Sequence, residues 1–363
     1  MNATDKKYQS SLAGIDLLRL LLSLCVVIFH YRMFLRPFTG REKVPASLLP
    51  LNGVLGFVYE HGGYAVEIFW LISGFIFYRI YAAAIADGKV GFKTFGLLRF
   101  SRLYPLHLLT LLVVAVLQLV YQRQHGVYFG YPANDVASFI RHLFLVNQWG
   151  DFGISYNGPV WSVSVEVFVY LLFYVLCALG ALRRRGVLLV WGIAVICYHF
   201  QFPKPFSECM YYFFSGCLLC YGFNKPYKPL YLLAAAVVLT CFFGGLTMLT
   251  GGENPLHNTL RTTAGVAASS VLLLCFIYWF SKVKSARILA FIQWCGNITY
   301  STYLIHFPIM LAAMLVIHPQ SPEMFREVWT LVVFVTLVVV MGSILYRFYE
   351  KPVQDALRRK WRV

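Results

Sequence analysis

GIDLLRLLLSLCVVIFHY, Gly14 to Tyr31, is apolar and long enough to cross a bilayer, yet it carries Asp16, Arg19 and His30. A spanning helix needs roughly 20 predominantly apolar residues, and ionisable groups inside one are costly and mark function. Arg19 and His30 are eleven residues apart, close to three helical turns, so they share a face about 16 Å apart along the axis. An arginine at the mouth and a titratable base at mid-membrane depth describe a polar cavity entered from one side.

Composition agrees with the membrane reading. The 363 residues are 59% hydrophobic and 13% charged, with mean hydropathy +0.66, against roughly 25% charged in soluble domains. Apolar segments recur at about 13–35, 64–86, 95–120, 160–181, 187–202, 207–223, 230–249, 259–281, 297–317 and 326–347, each bounded by Gly, Pro or charge. The first run is too long for a signal-peptide core and has no small-residue cleavage site after it, so it reads as a retained helix. The expected fold is an all-α integral membrane protein of about ten transmembrane helices. It forms one domain, 1–363, with no appended soluble domain.

The net charge of +16 is explained by topology. With the N-terminus inside, most of the 31 Lys and Arg collect on the cytoplasmic side, including Lys6, Lys7, Arg183 to Arg185, Lys225, Lys228 and the tail from Arg347 to Arg362. This is the positive-inside bias, with both termini cytoplasmic. No nucleic-acid partner is needed. The nine cysteines lie in apolar runs, and Cys217 and Cys220 form a CxxC without a second ligand pair, so they read as buried core residues. The outer loop Tyr121–Pro159 holds Arg141, His142, Asn147, Gln148, Trp149, Asp151 and Tyr156. That polar-aromatic mixture suits sugar hydroxyls and pyranose faces, and suits a solvated connector equally.

Further polar groups interrupt later segments. In LLRFSRLYP, Leu97 to Pro105, Arg99 and Arg102 are three apart and point the same way, a fork suited to phosphates. NGPVWSVSVEVFVY, Asn157 to Tyr170, sets Ser162 and Glu166 on one face; YAVEIFWLISGF, Tyr64 to Phe75, buries Glu67 and includes Ser73. GNITYSTYLIHFPIM, Gly296 to Met310, places Tyr303 and His306 in the ninth segment, and YRFYEKP, Tyr346 to Pro352, closes the tenth. No HExxH, GxSxG or Walker A pattern appears, so no metal site is expected.

Taken in order, these pieces resemble the membrane-bound acyltransferase 3 family, typified by bacterial polysaccharide O-acetyltransferases. The opening Arg-x10-His motif, EIFWLISGF, RFSR, VWSVSVE, GNITYSTYLIHFP and YEKP follow the family's order over nearly the whole chain. The resemblance implies His30 as the catalytic histidine, with Glu166 part of the site. It implies Arg19, Arg99 and Arg102 as groups serving an acyl-coenzyme A donor, acetyl-CoA by default, and no permanently bound cofactor. Asp16, Glu67, Ser73, Trp161, Ser162, Tyr303 and His306 are supporting positions; Glu67 stands where the family usually has Asp, and Trp70 replaces a common Phe. The implied acceptor is a glycan or lipid-linked sugar, with glycan biosynthesis machinery as a partner, in a bacterial inner membrane. The rival reading is a proton-coupled transporter or flippase built on the same intramembrane groups.

Overall fold

In a computed structural model, residues 3–40, 44–223, 229–250, 254–317 and 322–363 are described, side chains from Ala13 onward in the first helix. Lys225 and Lys228 lie outside the described residues, as do the side chains of Lys6 and Lys7. The architecture is helical throughout, with no strand among the described residues. Thirteen helices are labelled here: α1 Ala3–His30, α2 Asn52–His61, α3 Ala65–Phe77, α4 Phe92–His125, α5 Val136–Leu143, α6 Trp161–Ala178 and α7 Gly186–His199. They continue as α8 Phe206–Phe223, α9 Pro229–Thr250, α10 Pro255–Phe280, α11 Ala286–Ile317, α12 Val328–Leu345 and α13 Lys351–Trp361. Among the described residues, eight helical segments are long and apolar enough to cross a membrane, and α7, with 14 residues, is a shorter apolar helix. This is a multi-pass membrane protein.

One stretch between the first two expected segments and one within Tyr121–Pro159 are helical. Asn52–His61 forms α2 and runs almost directly into α3, because its glycines punctuate an otherwise apolar, helix-compatible sequence. Val136–Leu143 forms α5, capped by Asp135, whose Oδ1 accepts from the Ser138 backbone N–H at 2.6 Å. That same bond holds the Asp135 carboxyl below its ordinary range.

The chain divides into two compact units. The first comprises Met1–Arg19, Val66–Phe92 and Glu166–Gly296; the second comprises Leu20–Ala65, Lys93–Val165 and Asn297–Val363. Within the first, α3 and α8 approach backbone to backbone. A Cβ at Gly216 would meet the Leu71 carbonyl and one at Gly74 the Phe213 carbonyl, and the Cys217 thiol reaches the Gly74 carbonyl at 3.4 Å. Small residues at such crossings are how membrane helices pack when lipid is as apolar as their own side chains. The glycine of LISGF is therefore a packing requirement.

The second unit has an aromatic core in which Phe34 stacks on Phe325 at 4.6 Å and meets Phe334 edge-on at 5.2 Å. Its α4 and α11 each contain a proline, Pro105 and Pro308. A proline lacks the N–H its helix would use four residues back, so Pro308 leaves the Leu304 carbonyl without a donor. The Asn157 side-chain amide supplies one, at 3.1 Å. At the end of α12 the backbone widens into a π turn, Tyr346–Glu350, a feature common at functional sites.

Candidate functional site

His30 is the last residue of α1, and its Nδ1 lies 3.0 Å from the Val26 carbonyl. A carbonyl only accepts, so Nδ1 carries the proton and the neutral ring keeps its lone pair on Nε2. His306 on α11 repeats the arrangement, with Nδ1 at 2.6 Å from the Tyr303 carbonyl. Its Nε2 is buried and has no hydrogen-bond partner among the described residues. The two imidazoles are neighbours, ring centroids 5.0 Å apart and planes tilted by 38°. Both belong to the second unit.

Around His306 the frame is tight. The Tyr303 hydroxyl donates to the Pro159 carbonyl at 2.9 Å and meets the Ser162 hydroxyl, also at 2.9 Å. Ser162 in turn reaches the Pro159 carbonyl at 3.2 Å. This network ties the start of α6 to the middle of α11, next to the histidine. Trp161, beside Ser162, is half-buried.

Arg99 and Arg102 lie on α4, in the same unit. Arg102 is ion-paired with Glu350, which is almost wholly buried, and Ser301 donates to the other Glu350 oxygen. The π turn thus delivers a carboxylate to the arginine motif, and YEKP acquires a physical role. Tyr300 adds a hydrogen bond to the Leu103 carbonyl at 2.8 Å, and its ring lies 5.7 Å from the Arg102 guanidinium carbon.

The remaining expected positions fall in the first unit. Asp16 and Arg19 are 4.0 Å apart on α1, and a side chain at Gly296 would run into the Asp16 carboxylate. Glu67 is in the first turn of α3 and interacts electrostatically with Glu208 and Arg261. Ser73 is half-buried on α3, and Glu166 is half-buried on α6, within electrostatic reach of Cys209. The orienting hydrogen bond on His30 comes from the Val26 carbonyl.

The Tyr121–Pro159 segment differs from a solvated connector. Gln118 clamps the Phe129 backbone with two bonds of 2.9 Å, and Tyr156 reaches the Asn134 and Asp135 carbonyls at 3.1 Å. His142 is buried, stacked against His107 with centroids 6.4 Å apart, and bonded to Ser155 at 3.0 Å. Burial, then the neighbouring His107, pushes the His142 imidazole down to about 3. It is a structural histidine, removed from any sugar-facing surface. Trp149 and Phe152 remain partly exposed, with Arg141 stacked 4.1 Å over the Phe152 ring. No group of three or more His, Cys, Asp or Glu side chains is placed to hold a metal among the described residues.

A multi-pass helical protein with paired histidines inside it and paired arginines on a neighbouring helix defines a class of intramembrane polar centre. The family follows from comparison: the acyltransferase domain model matches residues 12–347, and the chain belongs to the acyltransferase 3 family. It is 21% identical to the peptidoglycan O-acetyltransferase OatA of Listeria monocytogenes over 98% of this chain and 57% of that protein. It is 23% identical to the putative peptidoglycan O-acetyltransferase YrhL of Bacillus subtilis over 83% of this chain and 52% of that protein. The acyltransferase MdmB of Streptomyces mycarofaciens is 31% identical over 49% of this chain and 44% of its own length. The chain thus spans about half the length of these relatives. No solved structure matches it.

Proposed function

We propose that the protein is a membrane O-acetyltransferase that moves an acetyl group from cytoplasmic acyl-coenzyme A to a hydroxyl of a polysaccharide or lipid-linked sugar. The observation that carries this reading is the His30–His306 pair, each ring held through Nδ1 by a carbonyl of its own helix. That tautomer leaves the Nε2 lone pair of His30 for chemistry.

In direct transfer, the acceptor hydroxyl gives its proton to His30 Nε2 as its oxygen attacks the thioester carbon. The carbon–sulfur bond then breaks, and the coenzyme A thiolate takes the proton from the imidazolium. In the covalent alternative, Nε2 attacks the thioester carbon and the carbon–sulfur bond breaks to release the coenzyme A thiolate; the acceptor hydroxyl oxygen then takes the acetyl group as the carbon–nitrogen bond breaks, and its proton passes to the thiolate. Val26 orients the ring in either route. Arg102, paired with Glu350 and through it with Ser301, and Arg99 one turn away serve the phosphates of the donor. The relatives' names, peptidoglycan O-acetyltransferase among them, support the acceptor class. A bacterial cytoplasmic membrane with both termini inside is consistent with the positive-inside charge bias.

The test is acetyl-coenzyme A turnover by the full chain in detergent, with Arg99→Ala/Arg102→Ala beside the wild type. The reading expects donor KM to rise by about tenfold or more when both guanidiniums are lost. Unchanged donor KM would remove the arginines from the donor site.

A further inference from the structure

Immediately beyond His30 stand two arginines that the resemblance leaves unassigned. Arg32 is 95% buried, since its relative exposure is 5%. Its Nε donates to the Phe29 carbonyl at 3.1 Å and its guanidinium carbon lies 4.5 Å from the Phe29 ring centroid. Its Nη2 is buried with no hydrogen-bond partner, and so is Nε of Arg36, one turn on. The two arginines act electrostatically on one another and on His30.

Neither forms an ion pair among the described residues. The acid within electrostatic reach of Arg32 is Glu60, which is exposed and lies 3.9 Å from His61. Burying a guanidinium without a counter-ion costs several kcal/mol in general, and the half-buried Arg36 beside Arg32 adds to that cost. A buried cation with no ion pair among the described residues, beside a reaction centre, is the feature expected of an anion-binding site.

Position says which side the anion comes from. Arg36 Nη1 reaches the Gly130 carbonyl at 3.5 Å, and Gly130, held at positive φ, follows the C-terminal end of α4. Arg102 lies near the start of that helix, and the path from Arg102 to His125 is about 35 Å long. Arg32 and Arg36 therefore belong with the end of α4 remote from Arg99 and Arg102.

We propose that Arg32 and Arg36 form a site for a phosphoryl group, separate from the donor arginines and adjacent to His30. A tetrahedral phosphoryl group offers several acceptor oxygens, enough for N–H groups from two guanidiniums. At a membrane boundary that chemistry has two sources, the phosphate of a lipid-linked acceptor or a phospholipid headgroup. The first deepens the transferase reading, placing a phosphate-bearing acceptor next to the base.

The experiment is binding to the full chain in dodecyl maltoside, which contains no phosphate. Geranylgeranyl phosphate, dioleoyl phosphatidate and the uncharged alcohol geranylgeraniol are titrated against wild type, Arg32→Gln, Arg32→Lys and Arg36→Gln. Wild type is expected to prefer geranylgeranyl phosphate over the alcohol by about tenfold or more. Arg36→Gln and Arg32→Gln lose most of that preference, and Arg32→Lys keeps part of it. Tighter binding of the isoprenoid phosphate than of phosphatidate assigns the site to an acceptor; the reverse order assigns it to a headgroup. Equal binding of phosphate and alcohol by wild type overturns the proposal, as does a preference that survives in Arg36→Gln. The readout is binding, so failure of the acetyl-transfer reading would leave the result standing.

Discussion

Arg102 and Arg32 are both guanidiniums held within the second unit, and the fold treats them in opposite ways. Arg102 meets a buried carboxylate, Glu350, whose other oxygen is bound by Ser301. Arg32 is more deeply buried, yet it keeps an N–H with no partner among the described residues. The same division separates the Asn157 amide N–H, which covers the carbonyl freed by Pro308, from His306 Nε2, which has no hydrogen-bond partner among the described residues. Buried polar groups are ordinarily satisfied. Partnered groups here hold the helices together; of the open ones, Arg32 Nη2, Arg36 Nε and His306 Nε2 belong to residues beside His30, whereas others, such as His107 Nδ1 and His142 Nδ1, lie elsewhere in the unit.

This division makes quantitative predictions. Glu350→Ala leaves Arg102 facing an empty, mostly buried site and is expected to destabilise the protein by about 3 kcal/mol, read from denaturant unfolding in detergent. Asn157→Ala exposes nothing to water but strips the Leu304 carbonyl of its donor, for a loss of about 1–3 kcal/mol by the same measurement. A further effect should appear with pH. His142 titrates down at about 3 in the folded protein against an ordinary 6.5, so the unfolded chain takes up a proton first. Its contribution is full above pH 6.5 and declines as pH falls toward 3. His142→Gln is expected to flatten that part of the melting-temperature profile. The smallest stability change belongs to the open groups: Arg32→Gln removes a charge that has no ion pair among the described residues and should leave stability within about 0.5 kcal/mol or raise it. A large loss on Arg32→Gln would erase the distinction between the two arginines.

The helical membrane fold was legible because apolar length and charge bias are one-dimensional properties. Asn52–His61 escaped because Gly53, Gly56 and the Gly62–Gly63 pair resemble loop punctuation, although the residues between them suit a helix. His30 and the Arg99/Arg102 fork stood out as ionisable groups in apolar surroundings. The partner of His30 was invisible because it is a backbone carbonyl, which every residue carries. Glu350 could be quoted in its motif but not paired, since Arg102 is nearly 250 positions away and the π turn that presents the carboxylate has no sequence mark. Arg32 and Arg36 did leave a signal: they follow His30 on the side that the positive-inside bias assigns to the outside, where basic residues are sparse.

The most direct measurement uses the purified full chain with radiolabelled acetyl-coenzyme A, following donor cleavage and protein-bound label in wild type, His30→Ala and His306→Gln. The account predicts that cleavage disappears with His30→Ala and falls in His306→Gln while that variant still folds. Label retained on wild type and absent from His30→Ala would select the covalent route. Undiminished donor cleavage by a folded His30→Ala protein would contradict the account, because the imidazole at the end of α1 would then carry neither the proton nor the acetyl group.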